Sequence, residues 1–464
     1  MNKKITTFLD DVCIHIKCKA VHKDIRDELT NHICELKEEY ANRAMDEEKA
    51  LEMAISAMGN CDELGNRLNK QHKPKTEWSI IVLTVIIAAI GGIIMYVSSK
   101  FSSFQAVSFE RYLLYAVIGF GVLAGIYFFD YTKLKKLAFP LYIITLMLLL
   151  FTLYTGADFN GRSFLTIGGK SIASDYVPIM FLAAIAGFME KGRGKGGIAF
   201  AGILALSFIS LIPVLALPNL PVAFVLIICY AVLIISSVIR NHFGGYRRLQ
   251  LAALGGIGFV VISIIAFGII AEPYRFHRIS TFITRGQSDP YGEGWQQVMA
   301  DKWFAASALL GKSAETVNGC SIDMDMPGLT SNYILLNVIA TLGWVVGLAL
   351  VLAIAVFIGR LFITTRKLKN TYGFYLSLGA CTILSAQFIF SVLMNFSLLP
   401  LTDINMPFVS YGGVGYIANM ALVGIILSVW RRNNLISSSS PENIPRSKHR
   451  FISFEDGKLI ISFK

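Results

Sequence analysis

The sequence predicts an all-α fold: a polytopic membrane protein of about ten transmembrane helices, preceded by a small cytoplasmic helical domain. Three observations carry that expectation. Ten long apolar runs follow residue 78, the charges between them fall on alternate loops, and the first 72 residues are polar with apolar positions at helical spacing. The runs lie near 79–98, 112–129, 137–155, 176–189, 197–217, 220–239, 250–271, 333–359, 374–396 and 409–429. Crossing a hydrocarbon core of ~30 Å takes about 20 mostly apolar residues in a helix. A hydrophobic share of 54% and a mean hydropathy of +0.58 suit a bilayer and exclude an ordinary soluble enzyme.

Residues 1–72 read as the cytoplasmic helical prefix domain. Ile5, Phe8, Leu9, Val12 and Ile16 repeat at helical spacing, as do Ile25, Leu29, Ile33, Leu36 and Tyr40. Asp46 suits the cap of a third helix carrying Leu51, Ile55 and Met58, with Gly59-Asn60 as its stop. A short fourth helix puts Leu64 and Leu68 on one face. Residues 73–77 are a polar linker into Trp78, an interfacial anchor. The polar segment before the first run excludes a cleavable signal peptide at this start. Residues 433–464, with Ser437 to Ser440 and Pro441, read as a cytoplasmic tail with no assigned role.

The formal charge is +11. Residues 1–77 carry 13 Lys/Arg against 15 Asp/Glu, so the remainder holds 29 against 16. The excess sits at Lys133, Lys135 and Lys136, at Lys191, Arg193 and Lys195, at Arg240, Arg247 and Arg248, at Arg360, Arg366, Lys367 and Lys369, and at Arg431 and Arg432. Residues 218–219 and 397–408 carry no Lys or Arg. The positive-inside rule makes the basic loops and both termini cytoplasmic. Base placement of this kind reads as topology and contact with anionic lipid, with no nucleic-acid partner. Seven cysteines without CxxC spacing and seven scattered histidines give neither a disulfide framework nor a metal site.

Residues 272–332 form one external segment far longer than a helix connection needs, with seven acids and five bases. It contains EPYRFHRISTFITRGQSDPYGEGWQQ, which resembles the large external loop of the SEDS family of cell-envelope proteins (FtsW, RodA and SpoVE). Arg275, Arg278, Phe282, Asp289, Pro290, Gly292 and Gly294 fall on that pattern. NFSLLPLTDINMPFVSYGGVGYIANMALVGIILSV, residues 395–429, is similar to the family's NxGLLPxTGxPLPFxSYGG signature. Pro400, Thr402, Pro407, Phe408, Ser410, Tyr411, Gly412 and Gly413 match it, while Asp403 and Asn405 depart. The resemblance covers about 78–432, and the prefix resembles helical domains that precede some permease-like membrane proteins.

The resemblance implies polymerisation of glycan from lipid II, beside a transpeptidase partner of the class B penicillin-binding type, at the cell membrane. Such a reaction joins a sugar hydroxyl to the anomeric carbon of a lipid-pyrophosphate sugar. It needs a base for the hydroxyl proton and positive charge for the leaving pyrophosphate. Arg275 and Arg278 suit the second task, because guanidinium stays charged and grips phosphate with two donors. By the same resemblance Asp289, Glu293, Gln296, Ser410, Tyr411, Gly412 and Gly413 are candidate substrate-binding positions. The family's carboxylate before the eighth membrane helix falls on Asn332, whose amide cannot accept a proton at neutral pH. Asn332 also suits hydrogen bonding to a sugar or capping of the following helix. Asp323 and Asp325, nearest in sequence, are the candidate substitute bases.

Three further stretches depart from the family. PNLPVA has Asn219 where PDLGTA has an acid, GRSFLTIGG has Phe164 in place of Trp, and Ile172-Ala173-Ser174-Asp175 stands where QPSE is expected. Three readings therefore stay open: a SEDS-type glycosyltransferase, a non-catalytic relative that organises envelope enzymes, and a flippase for a lipid-linked precursor. No cofactor is assigned, and the sequence leaves a divalent cation open.

Overall fold

A computed structural model of the protein describes residues 3–16, 22–42, 46–71, 75–101, 109–159, 162–167, 170–217, 220–271, 273–284, 294–311, 313, 316–317, 320–321, 328–400, 404–433, 452–455 and 458–461. The chain divides into two units, residues 1–75 with 432–464 and residues 76–431.

In the first unit, α1 (Lys3–Ile14), α2 (His22–Ala41), α3 (Glu47–Ala57) and α4 (Cys61–Gln71) enclose one apolar core. Ile5, Phe8, Leu9 and Val12 of α1 meet Ile25, Leu29 and Ile33 of α2 and Leu51 and Ala54 of α3, with Leu64 and Leu68 of α4 closing the side. These are i, i+3, i+4 stripes, so each helix buries one face. Asp46 occupies the cap of α3 with an extended backbone but no side-chain cap bond, and Glu47 and Glu48 supply negative charge to the first turn. Asn60 starts α4, its Oδ1 accepting from the Asp62 amide at 2.8 Å. In the chain's last residues two short strands, Ile452–Glu455 and Lys458–Ile461, pair antiparallel where the sequence suggested only a tail.

The second unit is helical and built for a bilayer. It comprises α5 (Trp78–Phe101), α6 (Phe109–Phe128), α7 (Ala138–Thr155), α8 (Val177–Lys191), α9 (Gly196–Ala216), α10 (Leu220–Ile239), α11 (Arg247–Ala271), α12 (Pro273–Ile283), α13 (Trp295–Ala306), α14 (Ile334–Leu342), α15 (Trp344–Arg366), α16 (Thr371–Asn395) and α17 (Gly413–Arg431). Among the described residues nine are long and apolar enough to cross a membrane: α5, α6, α7, α9, α10, α11, α15, α16 and α17. The fourth apolar run folds as α8, whose 15 residues rise only about 22 Å, with a single 3-10 turn at Ser174–Tyr176 ahead of it. The chain is thus an all-α polytopic membrane protein. A small antiparallel sheet, β1 (Ala157–Phe159), β2 (Arg162–Ile167) and β3 (Lys170–Ala173), joins α7 to α8 with Phe164 opposite Ala173.

The eighth run corrects the sequence reading. A single helix over 333–359 was expected, but the run breaks at Gly343, which has φ +94°. A break inside a membrane protein strands carbonyls on one side and amides on the other. The segment 308–313 meets them. The Gly311 and Ser313 amides donate to the Leu342 and Ala340 carbonyls at 3.1 and 2.9 Å, and the Trp344 and Val345 amides donate to Ala308 and Leu309 at 3.0 and 3.1 Å. Only glycine fits, because a Cβ at 343 would lie 2.6 Å from the Leu309 carbonyl oxygen.

Helix α16 is the axis of the bundle and packs on α8, α10, α15 and α17, while α17 runs along α6. One end of the bundle collects the basic residues. There Lys135 pairs with Glu190 at 3.4 Å, Arg360 with Glu77 at 2.6 Å, and the Arg240 and Arg431 guanidinia lie over Phe374 and Tyr127. The opposite end holds the N-termini of α8 and α17 and the C-terminus of α16.

Candidate functional site

At that opposite end the signature segment folds into a strained, buried loop. Phe408 has φ +65°, uncommon for a residue with a side chain, and is held there from several sides. Its ring lies between those of Phe357, Phe388 and Tyr416, and its carbonyl accepts from the Tyr112 hydroxyl at 2.9 Å. Ser410 staples the loop internally and outward: its Oγ accepts from the Met406 amide at 3.0 Å and donates to the Ser331 carbonyl at 2.7 Å. The Tyr411 amide donates to the Thr330 carbonyl at 2.8 Å. Gly413 opens α17 flush against the Tyr115 ring.

These bonds tie the loop to the turn 328–333, which carries Asn332. The turn is braced from behind by Asn395, fully buried at the end of α16. Asn395 Nδ2 donates to the Asn332 carbonyl at 2.9 Å and to the Ser391 carbonyl at 2.8 Å, and its Oδ1 accepts from the Leu336 amide at 3.1 Å. That last bond meets an orphan amide in the first turn of α14. The cap position of α14 is Tyr333, with no side-chain cap bond of its own, so the expectation that Asn332 caps this helix is corrected. A residue from another helix does the capping, because the turn directs the 332 carbonyl toward α16. One turn further on, Asn337 donates to Ser98 Oγ at 2.9 Å and accepts from Thr341 Oγ1 at 3.0 Å. Helix α13 seals the outside of the turn, burying Met299, Ala300 and Trp303 against Leu329, Tyr333 and Leu336.

Beside the loop a cleft runs into the bundle between α8, α10, α16 and α17. Its lining includes Asp175, Pro178, Gln387, Asn405, Ser410 and Asn419. Gln387 Oε1 and Asn405 Oδ1 are buried with no hydrogen-bond donor. The Asp175 carboxylate rests on the first turn of α17, where a Cβ on Gly415 would stand 2.9 Å from its Oδ2. Ser410 lines the cleft and also touches the Asn332 turn, so the two features share a wall. Among the described residues no group of three His, Cys, Asp or Glu side chains converges as a metal ion requires. Among the described lining residues the side-chain oxygens are one carboxylate with amides and hydroxyls.

A family model described as "Cell cycle protein", FTSW_RODA_SPOVE, matches residues 77–435. The chain belongs to the FtsW/RodA/SpoVE family. Stage V sporulation protein E of Bacillus subtilis is 25% identical over 379 residues, covering 77% of this chain and 98% of that protein. A protein of Trichlorobacter lovleyi named "Probable peptidoglycan glycosyltransferase FtsW" is 24% identical over 375 residues, covering 76% and 93%. Among solved structures, a chain of a peptidoglycan synthase complex that coordinates polymerization and crosslinking superposes with a TM-score of 0.60 at 22% identity, covering 77% of this chain and 98% of that one. The rod shape determining protein RodA of Thermus thermophilus gives 0.53 at 18% identity, covering 77% and 97%. The FtsW/RodA/SpoVE fold is therefore shared across nearly the whole of these proteins.

Of the residues the sequence singled out, Asn332, Ser410, Tyr411, Gly412 and Gly413 come together here. Gln296 lies on α13, the helix that seals the turn. Arg275 and Arg278 lie on α12, with their side chains outside the described residues, as are Asn219, Asp289, Glu293, Asp323 and Asp325. Asp175 and Asn405, noted only as departures from the family pattern, both line the cleft. Sequence reasoning passed over Gln387, Asn395 and Asn419, yet polar residues inside apolar runs are the signal that marks such positions.

Proposed function

We infer that this protein is a peptidoglycan glycosyltransferase of the SEDS type, building glycan from lipid II in division, shape maintenance or sporulation. One observation carries the reading. The signature loop and the turn bearing Asn332, which the family resemblance links to the reaction, are hydrogen-bonded to each other beside a polar cleft opposite the basic end. The positive-inside rule places that basic end, and both termini, in the cytoplasm, so the cleft faces the outer leaflet where the sugars of lipid II are displayed. Arg275 and Arg278 lie on α12, the helix that follows α11, and a guanidinium there suits the leaving pyrophosphate. A class B penicillin-binding protein is the fitting partner, because a growing strand needs crosslinking as it emerges.

The amide at Asn332 favours a second reading, a non-catalytic relative that binds the same lipid and organises envelope enzymes. Incubating the purified full-length protein with lipid II, alone and with a class B penicillin-binding protein, separates the two. Polymeric glycan above a no-protein control is the expected result. Lipid II bound but left monomeric in both arms overturns the transferase reading and selects the scaffold.

A further inference from the structure

We propose that Asp175 is the catalytic base of this chain, taking the proton of the attacking sugar hydroxyl that the amide of Asn332 cannot take. This rests on the transferase reading above. Among the described residues lining the cleft Asp175 is the one carboxylate. The turn Ser174–Tyr176 and the proline at the start of α8 fix its backbone, and the missing side chain of Gly415 gives its Oδ2 room against α17. Met406, Phe408 and Ser410 line the same cleft, and Ser410 is bonded directly to the turn of Asn332. The carboxylate therefore lines the same cleft as the loop that is fastened to the turn of Asn332.

The cleft also carries a sign of what it takes. Gln387 Oε1 and Asn405 Oδ1 are buried acceptors with no donor, a costly arrangement that a ligand bearing several hydroxyl donors relieves. A sugar is such a ligand. Asp301, the described acid on α13, does not line the cleft, and its Oδ1 accepts from Ser397 Oγ at 3.1 Å. In the proposed step the acceptor sugar's hydroxyl oxygen bonds to the anomeric carbon of the donor. The bond from that carbon to the pyrophosphate oxygen breaks, the lipid pyrophosphate leaves with the electron pair, and the hydroxyl proton goes to Asp175. No oxidant or further reactant is needed.

The test compares wild type, Asp175→Asn and Asp175→Glu as full-length proteins, reading lipid II polymerisation against pH, lipid II retention and thermal stability. The expected result is a rate loss of about 10²–10⁴ in Asp175→Asn, the usual range for a general base, with retention and stability unchanged. Asp175→Glu keeps at least a tenth of the rate. The wild-type rise in rate through the carboxylate pH range flattens in Asp175→Asn. An Asp175→Asn protein that polymerises within threefold of wild type overturns this assignment and leaves the transferase reading standing. Lost retention or stability in that variant overturns it too, by giving Asp175 a binding or structural role. A wild type without product overturns both.

Discussion

Replacing Asn395 with alanine tests how the candidate site is held. The substitution removes three hydrogen bonds from a fully buried side chain. The buried Leu336 amide loses its acceptor, and the Asn332 carbonyl loses the Asn395 donor. A buried polar group without a partner costs about 1–3 kcal/mol. Hydrogen bonds between membrane helices average nearer ~0.6 kcal/mol, because alternative states also find partners. With the Leu336 amide orphaned and two further bonds lost, the loss falls at about 2–4 kcal/mol. Deleting Ser397 Oγ serves as the control, since Ser397→Ala removes one bond to an exposed aspartate and costs less than about 1 kcal/mol. Hydrogen exchange followed by mass spectrometry on peptides spanning 328–342 reads the effect where it arises. A local loss of 2–4 kcal/mol lowers protection by about 30- to 700-fold. Exchange within threefold of wild type, with an unchanged unfolding midpoint, would refute the claim that Asn395 braces this turn.

Two further outcomes follow from other parts of the second unit. Gly343→Ala combines a left-handed φ with a Cβ 2.6 Å from a carbonyl oxygen, and it should cost about 2–4 kcal/mol, seen as a lower unfolding midpoint and faster proteolysis between residues 306 and 334. His242, in the loop after α10, has its pKa pushed below the ordinary 6.5 by burial, against the bond to the Met189 carbonyl and the Glu190 charge that favour protonation. The unfolded chain then binds the proton more readily, so this group's contribution is complete above about pH 6.5 and is lost as pH falls from there toward the folded pKa. Unfolding midpoints measured between pH 7.5 and 5.5 should drop more steeply for wild type than for His242→Gln, and parallel curves would count against the assignment.

The parts of this structure that sequence made legible are those where one local demand decides the outcome. A bilayer requires long apolar helices whatever else the chain does, so the runs and the one-sided Lys and Arg announced the membrane unit. The stripe Ile5, Phe8, Leu9 and Val12 likewise announced α1. Legibility stopped where a partner lies far away in sequence. The run 333–359 looks like one span because its composition never changes. It breaks at Gly343 because residues 308–313 arrive to satisfy the exposed backbone, and without them the break would be too costly inside a membrane. Ser410 looked like a ligand group and is found fastening its own loop to the 331 carbonyl, a bond spanning 79 residues. Asp175 looked like a shortened acid in a degraded motif, and its setting depends on Gly415, which no local pattern connects to it. Gln387, Asn395 and Asn419 each interrupt an apolar run, and a polar group in that setting implies something it must meet. Asn395 meets the turn of Asn332, whereas Gln387 and Asn405 present buried oxygens with no donor among the described residues. That asymmetry makes the first a brace, while the other two are the acceptors on which the proposed sugar binding rests, although all three are amides of similar reach.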